Sequence, residues 1–450
     1  MKAKILILIV AVIVILALVG AGAWRLTRPQ VITFSDDSKL TLLSVDYGKH
    51  HAPPNVKITT TTTNRPTARR ANGGPFNTTN DTLVLWVRQE FTGGQNSYHS
   101  FQYYIYDSAN LACVQASGGY ANRNNEIVPI TVNAFPRRDS KFIVRVEEQS
   151  NSGQELGDKQ FVIRNPAKKS YTAFTADALP STKSDDDLSV TLTKLVAGGQ
   201  GPYQRQDTDQ DDPMNKSVTA TFHVERGGKP VSNWLPVSVE TSDGTGNQVT
   251  GWSQTFNNGN GNESQSWDNG DGTMTYQYGL WAEEPWKIKL EFSQQSDFAD
   301  NEVWNLQNVP VVPGKQQELY NYGGRRAAAT NAVVAETDLN DHHIKFFWAK
   351  NFTDAGNNDW MQGGMFFTIS PDVGKDYRLT VKVTDNQTND IPNGTYSTQH
   401  TANLGTYRYR LQDIAGLTNI NVSIAIHKSR FVEFTAKPEK AAASDNNAQQ

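Results

Sequence analysis

The residues best equipped for chemistry lie between positions 207 and 284. Asp207, Asp209, Asp211 and Asp212 set carboxylates at nearly alternate positions, and hard cations such as Ca²⁺ are held by several such oxygens on a flexible loop. Counted from Asp207, position six is Asp212 where an EF-hand needs glycine, and position twelve is Val218 where it needs glutamate. A solvated acidic loop is therefore the simpler reading, with no metal assigned. Glu283 and Glu284 are the candidate acid/base couple of a hydrolase. Neighbours on a strand point to opposite faces, so the two do not converge on one bond. The same geometry separates His50 from His51 and His342 from His343 as ligands of a single ion. Gly251, Ser253 and Thr255 miss the G-x-S-x-G nucleophile elbow at its last glycine. No catalytic residue, cofactor or metal ligand is assigned, and the chain is expected not to be an enzyme.

Binding chemistry is better represented. Six of the ten tryptophans (Trp234, Trp252, Trp267, Trp281, Trp286 and Trp304) fall within residues 175–313. Trp281 and Trp286 read as core, whereas Trp252 and Trp267 flank an Asn/Gly-rich stretch and could stack on sugar rings. The same segment carries 8 Lys+Arg against 20 Asp+Glu, a balance of −12 that the rest of the chain offsets with +8. The formal net charge of −4 argues against a nucleic-acid partner. The pairs Arg69-Arg70, Arg137-Arg138 and Arg325-Arg326 read as solvated surface arginines. Cys113 is the only cysteine, which excludes an internal disulfide.

These groups must be positioned by something, and the first element to place is apolar. Residues 5–24 carry no charge and are flanked by Lys2, Lys4, Arg25 and Arg28. Twenty residues at about 1.5 Å each cover a hydrocarbon core of about 30 Å. The expectation is a transmembrane helix or signal anchor over 5–24, with residues 1–4 cytoplasmic and the bulk of the chain extracytoplasmic. The lipid bilayer is then a partner through this segment. A cleaved signal peptide is the competing reading, because Ala21-Gly22-Ala23 fits a small-x-small cleavage site.

Beyond the apolar run, period-2 alternation dominates. Trp286, Ile288, Leu290 and Phe292 share one face with Lys287, Lys289 and Glu291 on the other. Ile420 to Ile426, Tyr377 to Val383 and Phe142 to Val146 alternate in the same way. Strands with one dry and one wet face belong to antiparallel sheets. An acidic turn followed by such a strand recurs at Ser35, Ser184 and Asp338. A closing pattern of strand, loop, short strand and proline recurs at Pro166, Pro313 and Pro438. The repeat predicts three β-sandwiches, at 30–166, 175–313 (acidic and Trp-rich) and 330–438, with a disordered tail at 439–450.

Within the middle unit, Asp268-Asn-Gly-Asp-Gly-Thr-Met-Thr-Tyr276 resembles the D-N-G-D-G-T-Y hairpin of filamin-like and bacterial invasin-like immunoglobulin domains, with Met274 where that pattern carries Tyr. The resemblance implies tandem Ig-like sandwiches in a membrane-anchored bacterial protein. The fold expected is all-β: an N-terminal transmembrane helix followed by about three tandem Ig-like antiparallel sandwiches. They would act in binding an unknown protein or glycan ligand, or as an adhesive or structural stalk. The alternative is a secreted glycan-binding accessory protein of the cell envelope.

Overall fold

A computed structural model describes residues 29–54, 75–90, 100–106, 113–118, 126–149, 155–167, 169–200, 216–252, 269–277, 280–281, 284–311, 333–349, 364–391, 393–401, 403–411 and 416–441. Among them the chain is all-β, with several antiparallel sheets and no helix. No helix among the described residues is therefore long and apolar enough to cross a membrane; the expected helix over 5–24, and residues 1–4, lie outside them.

The first module is built from β1 (Gln30–Thr33), β2 (Lys39–His51), β3 (Phe76–Glu90), β4 (Ser100–Tyr106), β5 (Cys113–Gly118), β6 (Glu126–Val132), β7 (Lys141–Gln149) and β8 (Glu155–Arg164). Their order is β1-β2-β3-β6-β5-β4-β7-β8. Alternation puts Leu83, Leu85, Phe142, Val144, Val146 and Phe161 into one core. The two free edges of this path meet through a side chain. The Gln30 amide donates to the Val162 carbonyl at 2.9 Å and accepts from the Val162 N–H at 3.1 Å, standing in for a peptide of the missing ladder.

In the middle module, one sheet contains β9 (Ser181–Asp185), β10 (Leu188–Gln200), β11 (Lys216–Arg226), β12 (Lys229–Pro230) and β15 (Asp271–Gln277). It faces β13 (Trp234–Asp243), β14 (Gln248–Trp252) and β16 (Trp286–Gln294) across a core of Val190, Phe222, Trp286, Leu290 and Phe292. In the turn that enters β15, Asn269 and Gly270 take the left-handed conformation, whereas Gly272 lies within the strand opposite Phe222. The third module pairs β17 (Val303–Pro310), β24 (Asn419–Lys428) and β21 (Tyr377–Thr384) in one sheet. Its second sheet is β18 (Ala335–Leu339), β19 (His342–Ala349), β20 (Gly364–Ser370), β23 (Leu404–Leu411) and β22 (Asn393–Thr401), packed on the same core.

Pairings recur from module to module. The acidic-turn hairpins are β1–β2, β9–β10 and β18–β19. The strands β7, β16 and β24 pair with β4, β13 and β21. In the first module β7 then pairs with β8, its successor in the chain. In the other two modules the successors are exchanged. The strand after β16 is β17, yet β17 pairs with β24 of the third module, Leu306 opposite Val422 and Val309 opposite Ile420. The strand after β24 is β25 (Arg430–Ala436), and it pairs with β16, Ile288 opposite Phe434 and Leu290 opposite Val432.

The exchange corrects the expected boundaries. Residues 303–310 belong with the third module's core, and residues 430–441 with the middle one. Val432, Phe434 and Ala436 are buried there because β16 needs an apolar neighbour on the side that faces Phe222. The tail also begins later than position 439. Glu439–Lys440 form β26, parallel to Val196–Ala197 of β10.

Truncating Phe434 should therefore destabilise a module whose contiguous sequence ended about 140 residues earlier. We expect Phe434→Ala to cost about 3–5 kcal/mol. The loss should register as a lower midpoint in denaturant unfolding followed by tryptophan fluorescence, and probes in the third module should move with it because the exchanged strands tie the two together.

Candidate functional site

Two clusters of buried polar side chains lie where modules meet. The β13–β14 turn, Asp243 to Asn247, is one such place. The Asp243 carboxylate accepts from the Thr245 N–H and hydroxyl at 2.8 and 2.6 Å and from the Asn247 N–H at 3.1 Å. Its second oxygen accepts from the Asn247 amide at 2.9 Å. The turn after β21 repeats the pattern, with Asp385 accepting from the N–H groups of Gln387 and Asn389 and from the Asn389 amide, each at 2.8 Å. Those bonds hold the Asp385 carboxyl below the usual carboxylate range.

What separates the two turns is their surroundings. The turn at 385 is exposed, whereas Asn247 is buried against the first module. There its amide accepts from the Phe135 N–H at 3.1 Å and from Arg137 Nε at 2.9 Å, and donates to the Phe135 carbonyl at 3.0 Å. Arg137, only 4% exposed, also donates to the Tyr47 hydroxyl at 2.9 Å and the Asp81 carbonyl at 3.2 Å. Its guanidinium lies 4.9 Å from the Phe135 ring centre. Burial pushes the Tyr47 hydroxyl pKa up, and the adjacent Arg137 charge opposes that rise. The positive charge of Arg137 and the negative charge of Asp243 thus face each other through one amide, which leaves the buried cluster neutral. Neighbouring Arg138 donates to Glu284 and to the Tyr171 carbonyl. The connecting chain passes directly over Gly244, where a Cβ would run into the Thr172 backbone carbonyl oxygen.

Beside this latch the two modules leave a cleft of about 650 Å³. One wall is the start of β3, from Asn77 to Thr82, and the other is β14 at Gln248, Val249 and Thr250. Arg137, Asn133 and Gly246 lie along it, with Val114 as a small apolar spot.

The second joint is the strand exchange. Between β24 and β25 stands a single residue, Ser429, fully buried. Its hydroxyl donates to Glu291 at 2.7 Å, and Arg378 of β21 grips the same carboxylate with two N–H groups. Glu291 therefore sits buried on the face that alternation marked as wet. His427, 1% exposed, points the same way. Its Nε2 faces the hydroxyls of Thr380 at 3.2 Å and Ser293 at 3.4 Å, and its ring lies tilted against Phe298, the centroids 5.0 Å apart. Burial, with the Arg378 charge beside it, lowers the His427 pKa to about 4. The acidic turn of β9–β10 grips β25 from the other side. Asp185 accepts from the Phe431 N–H at 2.8 Å, and Asp187 takes Arg226 at 2.6 Å and Arg430 at 3.4 Å. The hydrogen bond from Arg226 lowers the Asp187 pKa.

Several residues singled out from sequence thus serve joints. Arg137 and Arg138, read as solvated surface groups, are interdomain ligands, and Glu284 takes Arg138 rather than acting beside a second carboxylate. His50 pairs with Asn77 at the surface while His51 is buried against Phe76, and His342 and His343 divide in the same way. Trp281 and Trp286 are core, joined by the Trp286 Nε1 bond to the Trp281 carbonyl at 3.1 Å. Asp207 to Asp212, Trp267, Glu283, Arg69-Arg70, Arg325-Arg326 and the Trp252 side chain lie outside the described residues. Sequence reasoning missed Asn247, Glu291 and His427. Only the Asp-x-x-x-Asn spacing shared by 243–247 and 385–389 could have pointed to the first of them.

No protein-family model matches the chain, and no curated protein does. Among solved structures, a conserved domain protein from Bacillus anthracis is similar at 11% identity, over 62% of this chain and 81% of its own, with a TM-score of 0.23. An uncharacterised protein from Listeria monocytogenes EGD-e is similar at 10% identity over 84% of this chain, with a TM-score of 0.15; the chain spans 32% of that protein's length.

The paired turns give an internal control. Asn247→Ala strands Arg137 Nε and the Phe135 peptide in a buried place and should cost about 2–4 kcal/mol, whereas exposed Asn389→Ala should cost under about 1 kcal/mol. Thermal unfolding of the two variants checks the difference. His427 gives a pH dependence of known sign. It is neutral when folded and protonates below about pH 6.5 when unfolded. Its contribution is therefore complete above 6.5 and is lost as pH falls from there toward 4, by about 1.4 kcal/mol per unit. Denaturant midpoints between pH 7 and 4.5 should fall less for His427→Phe than for the parent.

Proposed function

We propose that the chain is a non-catalytic, membrane-anchored extracytoplasmic protein whose three Ig-like modules form a jointed binding stalk, held to the bilayer through residues 5–24. The observation that supports this most is where the ionisable side chains go. Arg137, Arg138, Glu284, Glu291, Arg378 and the 185–187 turn each meet partners from a different module or from an exchanged strand. Groups so engaged fix the relation of one module to the next, which is what a spacer or display scaffold requires. The cleft between the first and middle modules gives such a scaffold a place for a ligand and favours the binding side of the reading. A secreted glycan-binding accessory protein, released by cleavage near Ala23, is the alternative.

Fractionation tests the anchored reading. The full chain, made in a bacterial host, should remain in carbonate-washed membranes and be digested by protease added to spheroplasts. A chain starting at Gln30 should be soluble. Finding the full chain in the carbonate supernatant, or protected in intact spheroplasts, would overturn the anchor; a shortened soluble chain outside the inner membrane would replace it with the secreted form.

A further inference from the structure

We infer that the cleft between the first and middle modules is a saccharide site that takes neutral, hydroxyl-rich sugar residues, an inference that rests on the binding reading above. Its walls are mostly amides and hydroxyls, contributed by Asn77, Thr79, Asn80, Gln248 and Thr250 among others. Amides offer a donor and an acceptor side by side, and hydroxyls serve as both. That is the complement of a sugar's adjacent hydroxyls. The Gln248 amide already donates to Glu240 and the Asn77 side-chain oxygen already faces His50, and a ligand with few polar atoms would desolvate the remaining groups at a cost for each. The valines at 114 and 249 provide small apolar spots for the C–H face of a ring.

Arg137 decides between a neutral and an anionic ligand. Three of its five N–H groups go to Asn247, Tyr47 and the Asp81 carbonyl, and two have no acceptor among the described residues. Gly246 packs beside Nη1, where a Cβ would lie 3.5 Å from it, and both residues line the cleft. The charge is already answered by Asp243 through the Asn247 amide, and Asp81 adds a carboxylate to the cleft wall. The middle unit as expected from sequence (175–313) carries −12 besides. The site therefore calls for oxygen acceptors without a full negative charge, such as ring, glycosidic or hydroxyl oxygens. The guanidinium is fixed by the latch before any ligand arrives, so binding orders little further. The cleft volume of about 650 Å³ lies within the range of about 300–1,000 Å³ usual for small-ligand sites.

The test uses the full chain in detergent micelles, titrated calorimetrically with cellotetraose, maltotetraose, mannotetraose and chitotetraose, with tetragalacturonate as the anionic counterpart. At least one neutral tetrasaccharide should bind, and the double variant Asn80→Ala/Thr250→Val, which leaves the latch intact, should weaken it at least tenfold at an unchanged melting temperature. Three results would overturn the inference: no neutral sugar binding at 10 mM, tighter binding of tetragalacturonate than of every neutral sugar, or equal affinity in the double variant. The fractionation result is independent of these. A membrane-held chain that binds no sugar loses only the saccharide site, and a sugar-binding chain recovered from the cytosol loses only the anchored reading.

Discussion

The pairing of β16 with β25 is the constraint on which the two C-terminal modules depend. Once the middle module takes its last strand from residues 430–436, the third module cannot use that strand and must be closed by β17 instead. Neither sandwich-like core is complete without a segment that lies, in sequence, on the far side of the other. Separating the two modules means breaking two ladders and exposing Val432, Phe434 and Val309 to water, so the junction has the strength of a core rather than of a surface contact.

Both joints are nevertheless polar at their centres. Arg137 with Asn247, and Glu291 with Arg378 and Ser429, spend hydrogen bonds where apolar contacts would cost less desolvation. Each is held largely by groups of fixed geometry: a turn closed by Asp243, a peptide at Phe135, a one-residue crossover at Ser429. Apolar surfaces can slide over one another, whereas a network of this sort is satisfied in one arrangement. The hydrophobic strands supply the cohesion and the buried charges fix the register between modules.

That division explains how much could be read from sequence. Strand faces at Phe142 to Val146, Trp286 to Phe292 and Ile420 to Ile426 were legible because period-2 alternation reports which side of a strand is dry. The closing pattern before Pro166, Pro313 and Pro438 was legible too, but alternation says nothing about which neighbour a strand takes. The short strands at 303–310 and 430–436 look equally suited to either module, and the exchange stayed hidden. Glu291, placed on a wet face, was misread and His427 was missed for a related reason. Their partners lie 87 and 134 residues away or across the exchange, and a wet face in one strand becomes a dry one when another module is set against it. Arg137, with its amide partner 110 residues on, has no local signature at all.

The exchanged strands also impose a schedule on synthesis. Residues 295–429, 135 of them, separate the end of β16 from the start of β25. At about 5–20 residues per second their translation takes roughly 7–27 s. Through that interval the third module already has its own closing strand, because β17 precedes it, while β16 carries an unpaired edge. Completion runs first, third, middle, out of step with the order in which the ribosome delivers them. The nascent chain must shield an open sheet edge until its final strand arrives, and a ribosome halted before residue 430 leaves a molecule whose centre, rather than its end, is unfinished.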